Sequence, residues 1–295
     1  MLVTTAVLST ALLPDVTTRT ISPSEALEAL RSLAETHPPS LPPLQAASEA
    51  THRFRPAGGP TPTCGTDGGF SFRNLRGWPA RGTFLDGGVA MRIQALVGSK
   101  SVVDIGAGSG QYGAFFAERR ALGEAAPSYT AFDGADGVEE YTSRYGKPGS
   151  LVRYANLCNA SSLAHVPPSD WVMSLEVGEH LPERCLSAYV HLLHTMNREG
   201  IVLSWAHPGQ GGTCHISNRA KRDVVALWTF FGYVEDREEV VRMRKMATMP
   251  WLRENIVVLR RARKRGSTPA HRSSAATRSR VPGSAKRDGI RNQVL

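Results

Sequence analysis

Short apolar runs alternate with amphipathic stretches along the central part of the chain. Five runs are rich in β-branched and aromatic residues and are bounded by polar or turn residues, which is typical of buried strands: residues 101–105, 129–133, 151–155, 171–176 and 201–205. Helical spacing of apolar residues lies between or after them, over the stretches 112–123, 184–197 and 219–231. Strands that alternate with helices predict a doubly wound α/β fold, with a mostly parallel sheet of about seven strands covered by helices on both faces.

The same patterning divides the chain into three parts. Residues 1–74 form an N-terminal extension of Pro/Gly-rich linkers and one short helix over 22–37, which Ser22 can cap. The α/β domain occupies residues 75–262. Residues 263–295 have no apolar periodicity, and we expect them to form a basic, disordered tail.

The basic charge of the protein is concentrated in that tail. The whole chain carries a net charge of +9, whereas residues 260–295 hold 11 Lys or Arg residues and one acidic residue, a net charge of +10. The remainder of the chain is therefore close to neutral. A basic tail can contact anionic partners such as nucleic acid or a membrane surface, although a solvated extension is the simpler interpretation.

The cysteines and the apolar runs bear on the compartment. The four cysteines, at positions 64, 158, 185 and 214, form no C-x-x-C pair. This spacing indicates neither a zinc ribbon nor a disulfide framework, and it fits a reducing compartment. No run approaches the ~20 apolar residues that span a membrane. We therefore expect a cytoplasmic protein, while the acid-poor start of the chain leaves organelle targeting open.

The run SVVDIGAGSGQYG, residues 101–113, contains two overlapping glycine patterns, G-x-G-x-G and G-x-G-x-x-G. In a dinucleotide-binding loop the first glycine directly follows the strand. Counting from Gly106, the third glycine of that loop would fall at Gln111. The longer pattern fits only if it starts at Gly108 and ends at Gly113, two residues too late. The register therefore favours G-x-G-x-G.

The in-register pattern, Asp-x-Gly-x-Gly-x-Gly, resembles motif I of class I S-adenosylmethionine-dependent methyltransferases. The resemblance implies a Rossmann-like fold and S-adenosylmethionine as the cofactor. It also implies that the acid lies near the amino-acid end of the cofactor and that the glycines pass under its ribose. In this chain these positions are Asp104, Gly106, Gly108 and Gly110.

Three further positions are candidates for the adenosine part of the cofactor. Asp133 ends the second predicted strand, where a carboxylate can accept both hydroxyl groups of a ribose. This feature also occurs in NAD enzymes, so it indicates a ribose without choosing the cofactor. In the family, an acid or amide after the third strand often holds the adenine. Here Asn156 is the counterpart, and Leu157 is expected to pack on the ring.

The run DWVMSLEVGEHLP, residues 170–182, resembles the fourth motif of many class I methyltransferases, of the type 11/23-like group with E-V-x-E-H-L. Glu176 is expected at the cofactor rim, and Glu179 and His180 follow closely enough for the side chains to converge. In small-RNA and ubiquinone-pathway O-methyltransferases a similar Glu-x-x-Glu-His binds a metal. The resemblance therefore implies a site for Mg²⁺ or another divalent cation with Glu176, Glu179 and His180 as ligands, completed by His215. Without a metal, His180 or His215 is the candidate general base, and Glu179 belongs to the same catalytic group.

These motifs predict a methyltransferase that acts on a hydroxyl or amine, with a small molecule as the favoured acceptor. Two alternatives remain: an RNA 2′-O-methyltransferase that uses the metal site, and an inactive methyltransferase-fold binding module. By position, residues 77–88 are a candidate lid over the cofactor, and Trp205 and His207 are candidate pocket residues. His191 and His194 lie at helical spacing and are expected to be ordinary helix residues.

Overall fold

The computed structural model describes residues 22–36, 65–80 and 82–262, and seven strands in this part of the chain form one sheet. In chain order the strands are β1 (Ser101–Ile105), β2 (Ser128–Asp133), β3 (Arg153–Tyr154), β4 (Ser169–Leu175), β5 (Asn197–Ser204), β6 (Tyr233–Glu235) and β7 (Val257–Arg261). Their spatial order is β3-β2-β1-β4-β5-β7-β6. Strands β1 to β5 are parallel, and β7 runs antiparallel to β5 and β6. The predicted doubly wound, mostly parallel sheet is confirmed.

Helices cover both faces of this sheet. They are α1 (Pro23–Thr36), α2 (Gly87–Val97), α3 (Gln111–Ala121), α4 (Val138–Tyr145), α5 (Glu183–Thr195), α6 (Lys221–Phe230), α7 (Arg237–Met246) and α8 (Pro250–Asn255). Ser22 caps α1 as expected: Oγ of Ser22 accepts from the backbone N–H of Glu25, and the Glu25 carboxylate accepts from the N–H of Ser22. Within the described residues, no helix is long and apolar enough to cross a membrane.

Alternate residues of the central strands face opposite sides of the sheet. Val103 in β1 and Val172 in β4 belong to a core that also contains α1, α5 and α6. Val102 and Trp171, one position earlier, belong to a second core with α2, α3, α7 and α8. All four side chains are at most 1% exposed. Burial on both faces explains why these strands are almost continuously apolar in sequence.

The sheet edge and one helix differ from the expected pattern. The strand expected over 151–155 is reduced to the two exposed residues of β3, which pairs with β2 alone and lies at the sheet edge. The sequence pattern did not single out α4, which has only eight residues and buries three of them. The linkers over 37–64, the first 21 residues and the tail over 263–295 lie outside the described residues, so those assignments stay predictions.

The expectation that the cysteines form no disulfide is wrong. Cys158 and Cys185 are joined by a disulfide, with Cα atoms 4.3 Å apart, and Cys214 is disulfide-bonded as well. Cys158 follows β3, and Cys185 lies in the first turn of α5, 27 residues later. Sequence spacing does not reveal this pair, because the fold brings the two segments together.

The start of α2 makes a backbone contact that permits only glycine. A Cβ on Gly88 would lie 1.8 Å from the carbonyl oxygen of Met246 in α7, whereas a Cβ on Gly87 would have no atom within 4 Å. We expect Gly88→Ala to lower the free energy of unfolding by about 1–3 kcal/mol, because α2 must move away from α7. Urea denaturation measures this change.

Gly87→Ala is the matched control in the same helical turn. It adds the same methyl group in open space, and we expect it to leave stability unchanged or to raise it by up to about 1 kcal/mol. Equal effects of the two substitutions would contradict the described packing of α2 on α7.

Candidate functional site

The loop after β1 contains three glycines with positive φ: Gly106 at 85°, Gly108 at 57° and Gly110 at 72°. A side chain is disfavoured at these positions because of the positive φ. Space for a Cβ atom is also lacking. A Cβ on Gly106 would lie 2.3 Å from Val177, and one on Gly110 would lie 2.2 Å from the carbonyl oxygen of Ser150. The loop is therefore built for close approach of its backbone to the neighbouring segments.

Gly113, the last glycine of the alternative pattern, lies inside α3. A Cβ there would lie 2.2 Å from the carbonyl oxygen of Gly149 and 2.3 Å from the ring of Tyr129. Gly113 thus serves helix packing, and the loop itself ends at Gly110, the N-cap of α3.

Asp104 lies near the end of β1, only 3% exposed. One carboxyl oxygen accepts a hydrogen bond from the hydroxyl of Tyr129, at 2.5 Å. Burial raises the pKa of Asp104 to about 7; the Tyr129 hydrogen bond acts in the opposite direction, and the charge of Asp133 adds to the rise. Asp104 therefore titrates near neutral pH and can present a carboxylate to a cationic group.

Asp133 ends β2 and holds the glycine loop from the other side. Its carboxylate accepts from the backbone N–H of Gly108 at 2.7 Å and from that of Ala135 at 2.8 Å. Burial raises its pKa, and these two hydrogen bonds act against the rise. Each carboxylate oxygen has a second lone pair, so the group retains acceptor capacity for ribose hydroxyls.

The two adenine candidates lie beside this acid. The carbonyl oxygen of Ala155 and the side chain of Leu157 are 3.5 and 4.0 Å from the Cβ position of Gly134, which follows Asp133. Leu157 is buried, and Asn156 Oδ1 accepts from the N–H of Cys158 at 2.8 Å. The Asn156 side chain thus closes a local turn, and its amide nitrogen is the group left to recognise a base.

Residues 77–80 and 82–86, here called the covering segment, lie across the glycine loop at Ser109. Trp78 Nε1 donates to the carbonyl oxygen of Ser109 at 2.9 Å, and the Ala80 N–H donates to its hydroxyl at 3.1 Å. The Thr83 hydroxyl is 2.8 Å from the same hydroxyl. Asp86 anchors the end of the segment by accepting from two backbone N–H groups just after α7.

Glu176, directly after β4, adopts a positive φ of 55°, which is uncommon for a residue with a side chain. Its carboxylate accepts from Gln210 Nε2 at 2.8 Å and from Asn255 Nδ2 at 3.1 Å. Cys214, next to His215, also has a positive φ, of 64°. These are the non-glycine residues with positive φ in the described ranges; Glu176 belongs to the second predicted motif, and Cys214 directly precedes His215.

Glu179, His180 and His215 converge after β4. One potential ligand atom of each residue lies within 4.8 Å of the others, whereas Glu176 is not part of this group. Glu179 is fully buried. Among the described residues, neither of its carboxyl oxygens makes a hydrogen bond of normal geometry, although the backbone of Ala206 and the Glu176 carboxyl are close enough to influence its ionisation. Nδ1 of His180 and of His215 is also unpartnered. The two imidazole rings are 4.8 Å apart, edge to face.

Burial controls the ionisation of this cluster. Burial and the neighbouring Glu176 raise the pKa of Glu179 well above its usual range. Burial, with the nearby His215, lowers the pKa of His180 to about 4. Burial also lowers the pKa of His215, against the charge of Glu176. Both imidazoles are thus neutral at pH 7, with lone pairs available. Buried oxygen and nitrogen atoms that lack a hydrogen-bond partner are suitable ligands of a divalent cation.

A second group of potential ligands does not fit a metal. Asp67, Cys158 and Cys185 also lie within 4.8 Å of one another. However, the two sulfurs are bonded to each other, and metals bind the thiolate form of cysteine. This group therefore offers a cation only the Asp67 carboxylate.

The other histidines and Trp205 have local roles. Trp205 is 3% exposed, and a Cβ on Gly178 would lie 2.5 Å from its ring, so it supports the turn that carries Glu179. His207 contacts Glu254 at 3.3 Å, at the surface. His194 is buried on α5 and contacts the hydroxyl of Tyr233, as an ordinary helix residue does.

Sequence reasoning missed the partners of Glu176. Gln210 lies in the Gly-rich loop after β5, and Asn255 ends α8 directly before β7. The Gly-rich composition of the loop was a signal that Gln210 could lie at the site. Asn255 carries no local signal, because its position depends on the antiparallel direction of β7.

No protein-family model and no curated protein matches the sequence. Solved structures do match, at low identity. Magnesium protoporphyrin IX methyltransferase from Synechocystis, with bound S-adenosylmethionine, is 17% identical over 59% of this chain and 76% of its own, with a TM-score of 0.42. The methyltransferase domain of bacterial CtHen1-C is 16% identical over 60% and 96%, with a TM-score of 0.43. A putative methyltransferase from Bacillus halodurans is 14% identical over 58% and 92%, with a TM-score of 0.39. These similarities assign neither an activity nor an acceptor to this chain.

The raised pKa of Asp104 predicts a pH-dependent stability. Between its ordinary value of 3.8 and about 7, the folded protein retains the proton that the unfolded chain loses, so this contribution to stability falls as pH rises. Asp104→Asn removes the titration and keeps an acceptor for Tyr129. We expect the stability of the variant relative to wild type to rise by about 2–3 kcal/mol between pH 5 and pH 8, measured by urea denaturation.

Asp170→Asn is the control with the opposite sign. The pKa of Asp170 is lowered by hydrogen bonds from the backbone and hydroxyl of Ser101, so its contribution is present above pH 4 and is lost on acidification. We expect this variant to be less stable than wild type by the same amount at pH 5 and pH 8. A flat difference for Asp104→Asn as well would refute the burial of an ionisable Asp104.

Proposed function

We propose that the protein is an S-adenosylmethionine-dependent methyltransferase that acts on a hydroxyl or amine of a small molecule. The observation that carries the proposal is the arrangement of Asp104 and Asp133 on either side of a loop whose three glycines all have positive φ. This arrangement lies at the carboxyl edge of β1 and β2, where open α/β sheets bind their ligands.

Different residues of the chain are suited to different parts of this cofactor. Asp104 is suited to the ammonium of the amino-acid end, since its buried carboxylate has a cationic group as its best partner. Asp133 is suited to the ribose hydroxyls, and the Asn156–Leu157 stretch beside it to the adenine. When bound, S-adenosylmethionine supplies a methyl group activated by a sulfonium. The protein's task is to align the acceptor with that methyl and to manage the acceptor proton.

On the acceptor side, we assign Glu179, His180 and His215 as ligands of a divalent cation. The unpartnered, buried state of their donor atoms supports this assignment. A set of two imidazoles and one carboxylate suits Mn²⁺ or Zn²⁺ better than Mg²⁺, which prefers oxygen ligands. When bound next to an acceptor hydroxyl, such a cation lowers the pKa of that hydroxyl. Glu176 is held by Gln210 and Asn255 and therefore lines the site without being assigned as a ligand.

The same histidines are weaker candidates for a general base. A base works best with a pKa near the operating pH, whereas burial lowers the pKa of His180 to about 4. A neutral imidazole of low basicity still binds a cation, because the metal competes with protons only below that pKa. The ligand role is therefore the better use of His180.

The two alternative functions gain no support from the described residues. The prediction of an RNA acceptor rested on the basic tail, which lies outside the described residues, and on the metal-type motif. A small-molecule enzyme can use that motif as well. Intact acids and glycines in the loop argue against an inactive binding module, and absence of cofactor binding would favour it.

Cofactor binding is the first test. We expect the folded protein to bind S-adenosylmethionine in a calorimetric titration, and Asp133→Asn to weaken that binding by about 10–100-fold, because a charged acceptor of ribose hydroxyls is lost. Asp223→Asn, a carboxylate in the first turn of α6, is the matched control and should bind like wild type. Absence of binding at millimolar cofactor, with the protein shown to be folded, would overturn the proposal.

Cation binding is the second test. We expect Mn²⁺ to bind the protein, as followed by the paramagnetic resonance signal of the free ion, and Glu179→Gln to weaken it by at least about 10–100-fold. Glu183→Gln, at an exposed glutamate four residues later that pairs with Arg219, should leave the affinity unchanged. Equal Mn²⁺ affinity of the Glu179 variant and wild type would exclude this cluster as the cation site.

A further inference from the structure

Gln111 carries a buried hydrogen-bond donor that the described chain does not use. It is the first residue of α3 and directly follows Gly110. The residue is only 4% exposed, and its Nε2 has no hydrogen-bond partner among the described residues. A buried amide N–H without an acceptor is disfavoured, so each such group in a folded protein requires an explanation.

The Gln111 amide lies inside the glycine loop and beneath the covering segment. Its Oε1 is 3.9 Å from the point where a Cβ on Gly108 would stand, and the methyl carbon of Thr83 is 2.9 Å from the same point. The covering segment is fixed there by Ser109, whose hydroxyl is 2.8 Å from that of Thr83. The amide therefore lies where the loop and the covering segment meet, away from bulk solvent.

The same end of α3 favours an anion. The first N–H groups of a helix have no intrahelical acceptor, and the helix dipole places partial positive charge there. The eleven-residue α3 has no acidic residue in its first turn and no side-chain cap at Gly110. Together with the unpartnered Nε2 of Gln111, this leaves a set of donors that suits a negatively charged acceptor.

The proposed cofactor carries one group of that kind, the α-carboxylate of its amino-acid end, next to an ammonium that suits Asp104. We propose that Nε2 of Gln111 donates a hydrogen bond to this α-carboxylate and so fixes the amino-acid end of the cofactor. The inference rests on the proposed function and adds a binding residue to it. Asp104, Gln111 and Asp133 then each recognise a different group of one ligand.

Three ligands that differ at the amino-acid end test the assignment. S-adenosylmethionine has the carboxylate, its decarboxylated form lacks only that group, and 5′-methylthioadenosine lacks the whole amino-acid end. We expect Gln111→Met to weaken binding of the first ligand by about tenfold or more, because a hydrogen bond to a charged group is lost. Binding of the other two should change by less than about twofold, as measured by calorimetry.

Other patterns of loss overturn the inference. A similar loss with the decarboxylated ligand would place Gln111 at the ammonium, and a loss that includes 5′-methylthioadenosine would mean that the substitution disturbs the whole loop. No loss with any ligand would leave the amide without a role in binding. If wild-type protein binds none of the three ligands, the proposed function itself fails, which is a different result.

One further variant and one control distinguish a loss of ligand binding from a loss of folding. Gln111→Glu places a carboxylate opposite the ligand carboxylate, so it should weaken S-adenosylmethionine more than 5′-methylthioadenosine. Gln94→Met is the matched control, because the amide of Gln94 on α2 is already bonded to Glu124 and to the carbonyl oxygen of Ala125; it should change none of the affinities. The thermal midpoint of each variant establishes that it is folded.

Discussion

The candidate site depends on the contact between Gly106 and Val177, where the loop after β1 meets the turn after β4. A Cβ on Gly106 would lie 2.3 Å from the Val177 side chain. The Val177 side chain therefore packs directly on the backbone of Gly106. This contact is available because β1 and β4 are neighbouring parallel strands whose carboxyl ends share one edge. It places the loop that suits a cofactor directly beside the turn that carries Glu179 and His180.

Several polar groups are buried at the carboxyl edge of the sheet near this contact. Glu179 is fully buried with unpartnered oxygens, and Asp104 and Gln111 are 3% and 4% exposed. Glu176 adds backbone strain through its positive φ. Each of these features opposes folding, and they lie at one edge of the sheet. Such concentration of locally unfavourable features is expected where a ligand completes the hydrogen bonds.

The features that sequence reasoning captured are those with a local cause. Short apolar runs located the central strands, and the position of Gln111 in the third-glycine slot favoured the G-x-G-x-G pattern. The proximity of Glu179 and His180 was also expected from spacing, and His215 was expected there from its position after the fifth strand; the expectation that Glu176 joins this group is wrong. The Cys158–Cys185 disulfide could not be found in this way, because its two cysteines are 27 residues apart and are brought together by the tertiary fold. The unpartnered state of the Gln111 amide likewise depends on the covering segment, whose course has no period.

The antiparallel strand β7 explains why the surroundings of Glu176 include residues from the C-terminal part of the chain. Parallel strands end at the site edge, so they contribute the residues that follow them. β7 pairs antiparallel with β5, with Leu203 opposite Val257, and therefore begins at that edge. The residues before β7 are thus brought to the site: Asn255 donates to Glu176 and Gln210, and Glu254 contacts His207. Because β7 is antiparallel, Asn255, which lies just before β7, can donate to Glu176, the first residue after β4. This hydrogen bond links the strained Glu176 to the core that contains α7 and α8.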